Sequence, residues 1–223
     1  MAFIRELNDA EMRIYRPIVK VAAQSLGVEP NSARTLGRNP ELIVAFSLLT
    51  KAALPDKNAK VPLFGAFVML VRLAWRRLWT RPRGEIDDSL RSLVSLAVSL
   101  SAGCRYCQAH TSGTAGRQGV STEKIEAILN YQDSPLYTPA ERAALDLAFA
   151  AGLHPNDARR EHFDRLREFF DEDQIHSIVS VIALFGFLNR WNDTMGTTLE
   201  APAVAFAEEH LAAQAGWEIG KHG

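Results

Sequence analysis

Two thiols and an imidazole recur at steps of three residues in the segment AGCRYCQAHTSG, as Cys104, Cys107 and His110. On a helix each neighbouring pair of that set shares one face within side-chain reach. When the first cysteine sits in the opening turn, a Cys104–Cys107 disulfide is reachable. The free amides and dipole of the helix start also stabilise a thiolate there, lowering its pKa from about 8.5. His110 can take the Cys107 proton directly or through a water, as a nucleophile working near neutral pH requires. Gly103 lets the chain enter this helix without a side chain obstructing the sulfurs.

The same residues admit two plainer readings: small core cysteines beside a surface histidine, or a zinc site. Against zinc, a regular helix turns through about 240° from Cys104 to His110, and neither a second C-x-x-C nor a paired-histidine motif completes a tetrahedral set. The remaining histidines, His154, His162, His176, His210 and His222, show no ligand spacing and are read as surface or packing residues. No phosphate loop or dinucleotide fingerprint is present. The expectation is redox thiol chemistry with no metal and no bound cofactor.

The elements that must position these groups are helices, because apolar residues recur at helical spacing while alternating β-branched runs are nearly absent. Asn8 and Glu11 make a capping-box pattern that predicts a first helix ending at Gly27. Pro40 opens an apolar run that Pro55 closes, and Pro62 opens a longer one to Trp79. Asp87 or Asp88 caps a helix through Ser101, and after Gly103 the cysteine helix runs to about Arg117. Ser121 or Thr122 starts a short helix, and Thr138-Pro139-Ala140-Glu141 starts one through Ala151. Asn156 or Asp157 begins a helix to Phe170, Asp171 to Asp173 begin one to about Thr198, and Pro202 begins a last helix to about Ala215.

The stretch Thr80 to Glu85, with Pro82, Gly84 and alternating charge, is the candidate boundary. It divides a helical lead-in, 1–84, from a core, 85–200, followed by a helix and tail, 201–223. An echo between VSTEKIEAIL and FDEDQIHSIVSVIAL is what helix amphipathicity alone produces and does not define a repeat.

The bulk properties weigh against several function classes without excluding specific binding. Lys plus Arg, 25, nearly balances Asp plus Glu, 26, so no global field holds the chain on nucleic acid or an acidic membrane. The basic run Arg72, Arg76, Arg77, Arg81 and Arg83, interleaved with Trp75 and Trp79, reads as a subunit contact in preference to a nucleic-acid surface. The apolar stretch Pro62 to Trp79 is broken by arginines and is shorter than the roughly 20 residues of a spanning helix. Arg5, Glu6, Asp9 and Glu11 interrupt any secretory signal, so a cytoplasmic protein is expected. With two cysteines this close in sequence, a disulfide would close too small a loop to stabilise the fold, which leaves their value chemical.

The run LVSLAVSLSAGCRYCQAHTSGTAGRQGVSTEKIEAIL resembles the core of the carboxymuconolactone decarboxylase superfamily, specifically its alkylhydroperoxidase-D-like, peroxidase-related branch. The resemblance extends roughly from Asp87 to Glu200, with GFLNRWNDT and the tail GWEIGKHG adding to it. It implies an all-α, homo-oligomeric thiol peroxidase acting on a hydroperoxide or disulfide and recycled by an external dithiol. By position, Cys107 matches the cysteine that attacks and Cys104 the one that resolves. The relay histidine of the best-studied members falls on Thr111, while relatives carry it at His110. The family's relay glutamate, twelve residues before the first motif cysteine, falls on Ser92, which cannot act as an acid. Asp193 and Asn192 are the candidate replacements, with Asp193 expected within direct or one-water reach of His110. Two other functions compete: a lactone decarboxylase on the same fold, which needs an enolate-stabilising pocket and no redox cysteines, and a non-catalytic helical assembly protein.

Overall fold

The computed structural model describes residues 2–54, 62–79 and 84–223, and it is helical with no strand among them. Pro55, Thr80, Arg81, Pro82 and Arg83 lie outside the described residues, as do the side chains of Arg76, Arg77 and Trp79. The chain divides into two compact units, Met1–Arg83 and Gly84–Gly223.

The first unit holds α1 (Asp9–Met12), α2 (Arg16–Leu26), α3 (Ser32–Leu36), α4 (Pro40–Ala53) and α5 (Leu63–Trp79). The capping box of Asn8 and Glu11 forms as expected, but the helix it opens stops after one turn and passes through a 3-10 turn, Arg13–Tyr15, before α2. Pro17 is the reason: with no N–H it cannot bond back to the preceding turn. Leu7, Tyr15, Val19, Ala33, Ile43 and Met69 form the buried cluster of this unit.

The second unit comprises α6 (Asp88–Ala102), α7 (Arg105–Arg117), α8 (Thr122–Glu126), α9 (Pro139–Gly152), α10 (Arg160–Leu166), α11 (Glu172–Met195), α12 (Ala201–His210) and α13 (Ala212–Ala215). Its centre is α6, buried all round from Ser92 to Ser99 and packed against α7, α9 and α11. A helix enclosed this way must satisfy its polar groups internally. Ser95 and Ser99 do so by donating to the carbonyls of Arg91 and Ser95, both at 2.8 Å. Against the outer face of α7 lies α12: a Cβ on Gly116 would come within 3.2 Å of the Phe206 ring, so that glycine admits the contact.

Thr138 and Glu141 form the expected capping box at the start of α9. By contrast α10 begins at Arg160, later than Asn156 or Asp157 would place it. The Asn156 side-chain oxygen Oδ1 accepts from the Ala158 amide at 2.8 Å, a local turn that competes with helix initiation. Gly196, in the left-handed region at φ 57°, ends α11 before Thr198. The terminal helix expected from Pro202 is divided at Leu211 into α12 and α13.

Candidate active site

Gly103 terminates α6 with φ 75°, a conformation that disfavours any residue bearing a Cβ. A Cβ there would meet nothing within 4 Å. The glycine is therefore required for its backbone angle, and a Cβ there would not reach the Cys107 sulfur. The turn it makes delivers Cys104 to the N-cap of α7, where its sulfur accepts the Cys107 amide at 3.4 Å.

Both cysteines are free thiols and both are buried. Their proton distribution is unequal. A hydrogen bond from the Cys107 side chain, aided by the Cys107 amide, outweighs burial and holds the Cys104 thiol below the ordinary range. The same interaction with Cys104, together with burial, pushes the Cys107 thiol far up, while the Asn192 amide partly offsets this. Of the two thiols, Cys104 is thus the one whose ionisation the surroundings favour, and Cys107 the one whose ionisation they oppose.

Cys107 lines an open cavity of about 550 Å³ that also borders Ser92, Tyr106, His110, Thr111, Phe185, Leu188 and Asn192. The Asn192 Nδ2 donates to the Cys107 sulfur at 3.6 Å. This brings α11 onto the cysteine helix across 85 residues of sequence. Thr111 borders the cavity but donates its hydroxyl proton to the Cys107 carbonyl at 2.7 Å, an internal helix bond. Ser92, buried at the cavity wall, stands where the resemblance would put an acid.

The carboxylate paired with His110 is Glu200, whose Oε2 lies 2.7 Å from His110 Nε2. An ionised carboxylate only accepts, so Nε2 carries the proton and Nδ1 becomes the basic atom of the neutral ring. Glu200's own backbone amide and then His110 hold its carboxyl below the usual range. Its other oxygen accepts from Tyr106 Oη at 3.5 Å, and the Tyr106 ring lies against His110 with centroids 4.5 Å apart. Glu200 immediately precedes α12, and the packing of α12 on α7 carries it to His110.

The expectation that Asp193 would orient His110 is corrected by this geometry. Asn192 faces Cys107, so the next residue is turned about 100° round the helix. There Asp193 Oδ2 meets Lys221 Nζ at 3.0 Å, and Oδ1 lies 3.7 Å from His222 Nε2. His222, read from sequence as a surface or packing residue, is fully buried and bonds the Thr197 carbonyl through Nδ1 at 2.8 Å. Asn189 is buried and donates to the Val98 carbonyl at 3.4 Å, a tie between α11 and α6. Among the described residues no group of histidines, cysteines and acids could hold a metal ion, and no helix is long and apolar enough to cross a membrane.

An all-helical unit with a dithiol at a helix N-cap, facing a cavity beside a histidine–carboxylate pair, defines the class of protein. The carboxymuconolactone decarboxylase family profile matches residues 65–150, which include Cys104, Cys107 and His110 but neither Asn192 nor Glu200. The uncharacterised protein YnjA of Escherichia coli (strain K12) is 32% identical over 118 residues, 52% of this chain and 63% of its own length. The uncharacterised protein YdfG of Bacillus subtilis (strain 168) is 31% identical over 116 residues, 51% of this chain and 78% of its own. Among solved structures, the debrominase Bmp8, as a cysteine-to-alanine variant in complex with 2,3,4-tribromopyrrole, is 32% identical with a TM-score of 0.55. That match covers 94% of this chain and 97% of the Bmp8 chain. The chain belongs to the carboxymuconolactone decarboxylase family.

Proposed function

We propose that the protein is a thiol-dependent reductase in which Cys107 takes an electrophilic atom from its substrate and Cys104 then closes a disulfide onto it. The observation that carries this reading is the placement of Cys107 in the cavity wall with the Cys104 sulfur accepting its amide at 3.4 Å. For a hydroperoxide, Cys107 passes its proton to the Cys104 thiolate, or to His110 Nδ1, as its sulfur attacks the terminal oxygen. The O–O bond breaks, the leaving alkoxide takes that same proton to become alcohol, and Cys107 becomes a sulfenic acid whose hydroxyl proton comes from the hydroperoxide. Cys104, again a thiolate, attacks the Cys107 sulfur and expels hydroxide, which a proton from solvent converts to water. The balance is one hydroperoxide, one thiol, one thiolate and one proton giving alcohol, water and a disulfide. An external dithiol restores the pair by exchange. Glu200 keeps the proton on Nε2 and so keeps Nδ1 competent to accept.

A second substrate class is favoured by the debrominase likeness and by the apolar cavity wall of Phe185, Leu188 and Tyr106. On a brominated heteroaromatic ring the Cys107 sulfur would take the bromine, the ring carbon would gain a proton, and Cys104 would displace bromide to give the same disulfide. Lactone decarboxylation has less support, because it leaves both thiols without a role. Assembly as a homo-oligomer, implied by the family likeness, agrees with the exposed stripe Leu184, Phe187, Trp191 and Met195 on α11.

The experiment is consumption of cumene hydroperoxide, and release of bromide from a brominated pyrrole, by the purified chain with an external dithiol. Cys107→Ser is expected to abolish turnover. Cys104→Ser is expected to leave at most a single stoichiometric turnover. Full multiple-turnover activity in the Cys107→Ser variant overturns the proposal.

A further inference from the structure

The segment Trp217–His222 touches α7 and α11, the two helices that carry the cysteines and Asn192. The Trp217 indole N–H donates to the carbonyl of Arg105, the residue after Cys104, at 3.1 Å. The His222 ring lies 6.0 Å from that of Tyr106, between the two cysteines in sequence. His222 is fully buried, and its place is fixed twice: Nδ1 bonds the Thr197 carbonyl at 2.8 Å, and its own carbonyl accepts the Leu199 amide at 2.8 Å. Its neighbour Lys221 reaches Asp193, the residue following the asparagine that contacts Cys107. Six residues of ordinary appearance thus bring one cation to the carboxylate of α11 that follows the Cys107-contacting asparagine.

That carboxylate opposes ionisation of both cysteines, whereas Lys221 favours it at Cys104. Left alone, Asp193 would work against the thiolate that the N-cap of α7 creates. Asp193 and Lys221 are about half exposed, so the pair is screened and its influence is modest. Modest influence suffices for tuning, since the rate of a thiol follows its thiolate population, less the nucleophilicity lost as the pKa falls.

We propose that Trp217–His222 is a tuning hook for the dithiol, in which His222 and Trp217 are anchors and Lys221 is a positioning residue that offsets the charge of Asp193, the residue next to the asparagine on the Cys107 sulfur. Asp193 is thereby a regulator of the thiolate with a sign opposite to that of a relay acid. The proposal rests on the dithiol being the reactive centre, but its measurement needs no substrate.

The experiment is a thiolate titration at 240 nm of the reduced full chain, comparing the first ionisation in four proteins: the parent, Lys221→Met, Asp193→Asn and the double variant. Lys221→Met should raise the midpoint and Asp193→Asn should lower it, each by about 0.3 to 0.7 pH units, a two- to fivefold change in thiolate ratio. The double variant should return close to the parent value. Structural damage moves both single variants the same way, so shifts of like sign overturn the proposal, as do two unshifted midpoints. A null peroxidase assay beside the expected opposite shifts would refute the proposed substrates and leave the hook standing; normal turnover with unshifted midpoints would do the reverse.

Discussion

Replacing Glu200 by glutamine keeps the shape of the side chain and removes its charge from His110. The His110–Glu200 contact is short, 2.7 Å, but its side chains are 38% and 59% exposed, so solvent screens the pair. Couplings of this exposed kind change an equilibrium by a factor of about 1.5 to 5, and the Glu200→Gln variant should lose that factor in kcat/KM at pH 7. His110→Asn removes the relay itself and should lose about 10²-fold or more. If Glu200 acts only through His110, the double variant loses no more than His110→Asn alone, because the second change has nothing left to act on. The Glu200 carboxyl is held below its ordinary range, so it stays ionised down to acidic pH, and the loss in Glu200→Gln should be constant between pH 6 and 8. The assay is steady-state hydroperoxide consumption with a saturating external dithiol. Losses that multiply in the double variant, or a Glu200→Gln variant slower than His110→Asn, would refute the argument that Glu200 works by orienting the imidazole.

Asn192→Leu removes the donor at 3.6 Å from the Cys107 sulfur, so Cys107 alkylation by iodoacetamide, read by mass spectrometry, should slow by about tenfold, as for loss of a hydrogen bond to a charged acceptor. Gly103→Ala should cost about 1 to 2 kcal/mol in urea unfolding, the backbone strain of a left-handed residue, because no atom obstructs the new methyl group; a cost of 4 kcal/mol would point to a clash. Burial opposes ionisation of Glu141, but Lys124 at 2.6 Å and the Thr138 amide and hydroxyl outweigh it and hold the carboxyl below the usual range. A depressed carboxyl contributes stability above its unfolded pKa and loses it as pH falls through the folded one. Glu141→Gln should therefore be less stable than the parent by about 1 kcal/mol at pH 7, with the gap closing under acid conditions; a gap that is constant with pH excludes ionisation as its origin.

Features that rest on a few neighbouring residues were legible in the sequence. A capping box needs only an N-cap side chain and an acid three residues on, and both boxes, at Asn8 and at Thr138, formed. The dithiol at the start of a helix likewise followed from local rules, since Gly103 forces the turn and the spacing of three puts the Cys107 amide on the Cys104 sulfur. Local rules also failed locally: Asn156 has the side chain of an N-cap yet makes a turn, because the same oxygen can satisfy either.

What depends on packing was not readable. The acid beside His110 lies 90 residues away in sequence and is set by how α12 seats on α7, aided by Gly116 and Phe206. Asn192 and Asp193 are equivalent as polar neighbours in a string of letters. One faces the sulfur and the other faces Lys221, because a 100° step along α11 separates them and only the burial of α11 against α6 fixes which direction is inward. The sequence by itself determined the chemistry available, two thiols and an imidazole on one helix. Tertiary structure decided which carboxylate lies against His110 and which against Lys221, since electrostatic partnership is a matter of a few ångströms and sequence separation carries no measure of distance.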